Sequence, residues 1–370
     1  MSSAGPDWQA RLAAIQAELV NLGVDAVVIS TLHNVLYLCG FGGSAALLVI
    51  TRSGVRLITD GRYAFAVRQQ AAAGAMASVD LQQVGKRYDL TLGEAITELR
   101  LSRVAFEPAH VTVATLRSWE RAAPGVSWTP ADNLVENARV IKDAYEIAVF
   151  RRGGALIAKV IEALPALVRP GRTERAIATE IERALTEVGF SRPAFETIVA
   201  SGPNSALPHA RPTDRSIGPG DLVLLDFGGV LDGYCVDVTR MSAVGPLSDR
   251  AIGLFEAVKV ATEAAISAVR PGILASDVDR AARDLLTSRG LGEAFMHSTG
   301  HGLGLDVHEA PRVGRADPEA RELMQPGMVF TIEPGAYIEG LGGVRLEDDV
   351  LVTTMGSEVL TPASRDLLFV

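Results

Sequence analysis

Residues 297–309 read HSTGHGLGLDVHE and carry three of the chain's six histidines. Imidazole changes charge between pH 5 and 8, moves protons and ligates metals. Interleaved glycines disfavour a helix here and let the backbone adopt positive φ or approach a ligand closely. One histidine on an apolar face is ordinarily a satisfied core residue. Three in a glycine-rich segment read instead as one wall of a site, provided that partner groups come from elsewhere in the chain.

An internal repeat supplies those partners. VRPGRTERAIATEIERALTEVG (168–189) matches VRPGILASDVDRAARDLLTSRG (269–290) without a gap at an offset of 101 residues. The match continues from PGDLVLLDFGGVLDGYCVDVTR (219–240) into PGMVFTIEPGAYIEGLGGVRLEDD (326–349), with three extra residues in the second loop. Each copy predicts a helix launched after Pro-Gly and closed by Gly, then apolar strands. Two copies make neither a solenoid nor a propeller. They predict two similar halves about a pseudo-twofold axis, with a site where the halves meet.

Within the repeat, Asp226 falls on Glu333 and Asp237 falls beside Glu347. Each half thus brings one carboxylate near the end of an apolar strand (LVLLD, VFTIE) and a second on the strand after a glycine-containing turn. Strand interiors disfavour Asp and Glu, and a lone buried carboxylate tends to neutralise. Four together repel unless cations sit among them. A pair of divalent metals answers that need: bridging carboxylates can hold two cations with a hydroxide between them as nucleophile. The histidine cluster adds a nitrogen ligand and groups to steady a substrate oxygen. Oxygen and imidazole donors suit manganese, cobalt, iron or zinc, and the lack of a thiolate cluster disfavours structural zinc. Asp232, Glu339, Asp348 and Asp349, in or near loops, read as turn residues or surface ion pairs.

Residues 1–138 alternate helix and strand. WQARLAAIQAELVNLG and YAFAVRQQAA have helical spacing; DAVVIS, SAALLVIT, GVRLITD, RVAFEP and VSWTPAD read as short strands. From about residue 139, RVIKDAYEIAVFRRGGALIAKVIEALPALV is a long helical stretch without a strand signal. The expected domains are 1–138 and 139–370. With 370 residues, 48% hydrophobic and 21% charged, the chain has the composition of a soluble globular protein with a full core. A net charge of −9 argues against nucleic acid or an anionic membrane as the main partner. Cys39 and Cys235 form no CxxC pair, which fits a reducing compartment, and Cys235 reads as packing beside the acidic strand. The N-terminus lacks a secretory pattern and the longest apolar run is AALLVI, so a cytoplasmic location is expected.

These residues resemble the metal-binding signature of the creatinase/aminopeptidase P/prolidase metallopeptidase family. NVLYLCGFGGSAALLV and TDGRYAFAVRQQA also resemble that family's N-terminal domain, so the resemblance covers nearly the whole chain. It implies an α+β fold: a pseudo-twofold pita-bread catalytic domain preceded by a smaller α/β creatinase-like domain. The implied metal ligands are Asp226, Asp237, His301, Glu333 and Glu347, with Asp237 and Glu347 bridging, Asp226 completing one sphere, and His301 with Glu333 the other. His209 in ASGPNSALPHARP would steady the tetrahedral intermediate, His308 contact the substrate carbonyl, and His297 line the leaving-group side. Arg345 would orient Glu347 or meet substrate, and Glu333 would shuttle a proton. Phe195 stands where some members have tyrosine, which removes a phenolic hydroxyl there. His33 and His110 match no motif. The resemblance further implies a homodimer with two metals, Mn²⁺ first and Co²⁺, Zn²⁺ or Fe²⁺ as alternatives. Its expected substrates are small peptides with proline second, cut as Xaa-Pro dipeptides or by an Xaa-Pro aminopeptidase. Two other readings compete, creatinase-like C–N hydrolysis and a non-catalytic binding module on the same fold. Relatives of both kinds lack the full ligand set that this chain retains.

Overall fold

The computed structural model describes residues 5–317 and 321–370. The chain divides into two compact units, 1–139 and 140–370.

In the first unit, helices α1 (Trp8–Asn21), α2 (Leu32–Cys39), α3 (Gly61–Ala72), α4 (Tyr88–Glu98), α5 (Val113–Ala122) and α6 (Leu134–Arg139) accompany six strands. These are β1 (Ala26–Ile29), β2 (Leu47–Thr51), β3 (Val55–Thr59), β4 (Asp80–Gln83), β5 (Arg103–Phe106) and β6 (Ser127–Pro130), in sheet order β4-β3-β2-β1-β5-β6. β1 and β2 are buried at almost every position, as expected of strands covered on both faces. The segment 32–39 is the helix α2. Glu107, after β5, anchors its start by accepting the Ser30 and Thr31 backbone N–H groups at 2.6 and 2.9 Å.

The second unit shows the duplicated plan. α7 (Ala144–Leu167) and α8 (Glu174–Val188) are followed by β7 (Arg192–Pro193), β8 (Ile198–Ser201), β9 (Leu222–Leu231) and β10 (Tyr234–Ala243). α9 (Asp249–Ala268) and α10 (Ala275–Ser288) are followed by β11 (Gly300–Gly302), β12 (Glu309–Val313), β13 (Val329–Ile332), β14 (Gly335–Ile338), β15 (Gly342–Arg345), β16 (Asp348–Val352), β17 (Ser357–Val359) and β18 (Leu368–Phe369). The long helix begins at Ala144, five residues later than the helical stretch predicted from 139. Asp143 caps it in a reciprocal capping box with Glu146, which fixes the start. One sheet runs β18-β10-β9-β7, with β8 also paired to β9; a second runs β12-β11-β13-β16-β17, and β14 and β15 pair as a separate hairpin.

Strand alternation decides which side chains reach the site. On β9, Val223, Leu225 and Phe227 enter a core with α7 and α8 residues, whereas Leu222 and Leu224 enter the core built on α9 and α10. Period two therefore puts Asp226 on the face turned from α7 and α8. β10 pairs antiparallel with Thr239 opposite Asp226, so Asp237 and Thr239 share that face. On the other half, an isolated bridge joins Glu347 to Thr239. The halves of the sequence repeat thus meet at Thr239.

Candidate metal centre and active site

The two aligned pairs of acids converge. Asp226, Asp237, Glu333 and Glu347 line one cavity of about 770 Å³ together with His209, His297, His301, His308 and Arg345. Ligand atoms of Asp237, His301 and Glu347 lie within 4.8 Å of one another, a grouping able to hold a metal ion. Glu333 reaches His301, Oε1 to Nε2, at 3.4 Å.

Electrostatics point the same way. Asp226 Oδ1 and Asp237 Oδ1 are buried and have no hydrogen-bond partner. Burial, together with the charge of Glu347, holds the Asp237 carboxyl well above the usual range. Burial and the charge of Glu333 do the same to Glu347. Burial also pushes Glu333 up to about 7. Acids so placed have too little positive charge around them, and bound cations would reverse the shifts. The donor set of carboxylate oxygens and one imidazole fits hard or borderline divalent ions. The residues fit a divalent metal ion.

Arg345 is the one buried cation in the cluster. It forms an ion pair with Asp226 through Nη2, and donates to Tyr337 Oη at 2.7 Å and to the Pro208 carbonyl at 3.2 Å. Its Nε donates to Thr239 Oγ1 at 3.2 Å, and Thr239 in turn donates to Glu347 Oε2 at 2.6 Å. Arg345 therefore grips Asp226 directly and Glu347 only through Thr239.

The imidazoles differ in which nitrogen is available. His297 Nδ1 faces the Ser298 carbonyl at 2.8 Å, so it carries the proton in the neutral ring. Its Nε2 then accepts from Tyr337 Oη at 2.9 Å. Burial lowers this ring to about 4, which keeps it neutral. His301 Nδ1 faces the Gly302 carbonyl at 3.0 Å, leaving Nε2 as the lone-pair end turned towards the acids. Among the described residues no hydrogen bond occupies the ring nitrogens of His209 or His308. Of the imidazoles that line the cavity, these two can offer an unengaged N–H to a substrate.

The glycines around His301 do something other than expected. None of Gly300, Gly302 and Gly304 has positive φ. A Cβ on Gly300 would collide with the Thr331 carbonyl, and one on Gly302 with the Ala310 carbonyl. Gly300 and Gly302 let neighbouring strands close around the histidine, the near neighbour being backbone and not a ligand, while Gly304 makes room for the Glu309 carboxylate.

Asp348 and Asp349 require a correction. Both are fully buried on β16. Asp348 pairs with the fully buried Arg240 at 2.8 Å and with Arg365. Asp349 accepts the Asp237 backbone N–H at 3.2 Å. Their place after a glycine-rich turn reads as loop only until β16 is seen to pair with both β13 and β17. Asp232 does sit at a turn, with φ 51° and an ion pair to Arg152, and Glu339 is exposed. Cys235 and Cys39 are buried free thiols.

Sequence reading missed Thr239, Tyr337 and the cavity-lining Arg312. Thr239 was accessible from strand period, being two residues from Asp237. Tyr337 and Arg312 each look like ordinary strand residues until folding carries Arg312 to the cavity wall and Tyr337 against His297 and Arg345.

The chain's residues 148–354 match the model of metallopeptidase family M24, and residues 11–141 match that of the creatinase/prolidase N-terminal domain. The chain belongs to metallopeptidase family M24: a creatinase-type N-terminal domain followed by a pita-bread catalytic domain. It is 34% identical to the uncharacterized peptidase YqhT of Bacillus subtilis over 94% of this chain and 96% of that one. The solved Xaa-Pro dipeptidase of Bacillus anthracis superposes with a TM-score of 0.93 at 32% identity, covering 98% of this chain and 100% of the other. An X-Pro aminopeptidase from Thermotoga maritima gives 0.88 at 31%, covering 95% and 100%. No helix among the described residues is long and apolar enough to cross a membrane.

Proposed function

We propose that this chain hydrolyses the peptide bond preceding proline, using two divalent cations held by Asp226, Asp237, His301, Glu333 and Glu347. The observation that carries this reading is the buried, underpartnered acid cluster facing a cavity that also holds three further imidazoles. Manganese is the first choice, with cobalt, zinc and iron compatible with the donors. When bound, such a pair activates water and polarises the scissile carbonyl. His209 and His308 donate to the carbonyl oxygen as negative charge develops on it. Glu333 passes a proton to the leaving nitrogen, a step that a proline nitrogen, lacking its own N–H, requires. His297, with both nitrogens engaged, presents ring surface beside Phe195, Ile198 and Val307, a wall suited to a pyrrolidine ring. The proposed assembly is a homodimer, checked by sedimentation.

Between dipeptide and longer substrates, Arg312 favours the dipeptide. Its guanidinium lines the cavity and donates through Nε to Ser298 Oγ at 3.1 Å. The fork beyond is suited to a free C-terminal carboxylate. The test is turnover of an Ala-Pro dipeptide, its C-terminal amide and an Xaa-Pro-Yaa tripeptide by Mn²⁺-loaded protein. Arg312→Met is expected to raise KM for the dipeptide about tenfold, one charge-assisted contact, with little change for the amide. No turnover of any of the three would remove the peptidase reading.

A further inference from the structure

α8 and α10 bury matching stripes. Ile177, Ala178, Ile181 and Leu185 on α8 correspond at the 101-residue offset to Val278, Asp279, Ala282 and Leu286 on α10. Each stripe includes one carboxylate, Glu174 on α8 and Asp279 on α10, displaced by about one helical turn. Glu174 is fully buried and Asp279 nearly so. A buried acid on an apolar stripe is costly unless its oxygens are engaged, and both sets are.

Glu174 Oε1 accepts the backbone N–H and hydroxyl of Ser201, each at 2.7 Å. Oε2 accepts the backbone N–H of Thr213 at 3.0 Å and its hydroxyl at 2.6 Å. The Asn204 amide donates to both oxygens at 3.0 and 3.1 Å. One carboxylate therefore ties together the two ends of the loop 202–212. Five consecutive residues of that loop, Pro208 to Pro212, line the cavity, His209 among them. Its far side is held by Ser205 Oγ on the Gly343 N–H at 2.9 Å and by Arg345 on the Pro208 carbonyl.

The other half repeats the device. Asp279 Oδ1 accepts the backbone N–H of Thr299 at 3.2 Å and its hydroxyl at 2.9 Å. Asp279 also holds Arg283, which donates to the carbonyls of Phe295 and His297 at 3.0 and 2.9 Å. The segment so fixed carries His297 and leads into His301.

We propose that Glu174 and Asp279 are a pair of positioning residues, each fastening the histidine-bearing segment of its own half to the cavity: Glu174 for His209, Asp279 for His297. Neither touches the cavity. The kinetic consequence rests on the peptidase reading above; the positioning itself does not.

Two measurements test it on the full chain. The first is amide hydrogen exchange. Glu174→Gln should raise exchange in 202–212 at least about tenfold and leave 295–300 unchanged; Asp279→Asn should do the reverse. A uniform rise across the catalytic unit, or no rise, overturns the proposal. The second is a double-mutant cycle with Mn²⁺-loaded protein. Glu174→Gln alone should lower kcat on Ala-Pro on the order of 100-fold, the scale of a misplaced catalytic group. In a His209→Ala background the same change should cost less than about threefold. Equal losses in both backgrounds mean that Glu174 does not act through His209. If Glu174→Gln does not fold, Ser201→Ala and Thr213→Val each remove one hydroxyl donor and should raise exchange in the same loop in graded fashion; their failure to do so overturns the proposal. If the wild-type protein cleaves no proline peptide, the peptidase reading fails, and the exchange pattern still decides the positioning.

Discussion

Asp237 is a buried acid crowded by other acids. It is buried, one oxygen lacks a partner, and Glu347, Asp226, Asp349 and Glu333 all add negative charge around it. Asp237→Asn keeps the shape and removes the charge. It is expected to lower retained divalent metal and cut turnover by at least about 100-fold, read by metal analysis after desalting and by kcat. Glu174 gives a pH prediction of definite sign. Burial raises its pKa, but the donors of Thr213 and Ser201 outweigh that and hold it below the ordinary value. A carboxylate with a depressed folded pKa contributes stability that is fully present above the unfolded value, about 4.3, and lost as pH falls through the folded one. Urea unfolding from pH 6 downwards should therefore show a steeper acid loss in wild type than in Glu174→Gln. The convergence of the four acids was legible because each interrupts an apolar strand at a matched place in a repeat. What each acid leans on was not: Arg345 is 119 positions from Asp226, and no local pattern links them.

At the scale of elements, the helices and strands of the repeat form where turn glycines and apolar period put them. The exceptions have local causes. The start of α7 moved to the Asp143 capping box, and β16 became a buried strand through pairing on both sides. The glycines flanking His301 show how a correct motif can carry a wrong reason. Positive φ was one expectation, but the requirement is close packing of β11 against β12 and β13, visible only with both neighbours in place. Gly300→Ala should therefore act by overpacking, at a cost of about 1–3 kcal/mol. A denaturant titration measures that loss, and an unaltered midpoint would show that the strands have room to part. Arg240 belongs at this scale too. Completely buried, it binds the Glu347 and Ser364 carbonyls and the Asp348 carboxylate, so it ties the segment 361–366 to the strand that follows Glu347.

For the whole molecule, metal and fold stability are linked, because the acids repel in the native cavity and not in an unfolded chain. Ligand at about a hundred times its Kd adds about 2.7 kcal/mol. For a unit of this size that corresponds to a rise in Tm of about 5–10 °C. Calorimetry with and without chelator measures it; an unmoved transition would mean that the cavity holds no cation. Composition, repeat and the acid-and-histidine pattern by themselves determined that the chain has two similar catalytic halves and which residue types they bring to the axis. Those features are local or periodic, and period alone sets which face of a strand a side chain occupies. Only tertiary structure decided that Arg345 grips Asp226, that Asp348 and Asp349 are buried, that His297 has no free nitrogen, and that Glu174 and Asp279 brace the histidine segments. Each of these depends on burial and on partners brought together from distant positions, and the energy of a carboxylate or an imidazole is set by its surroundings in space.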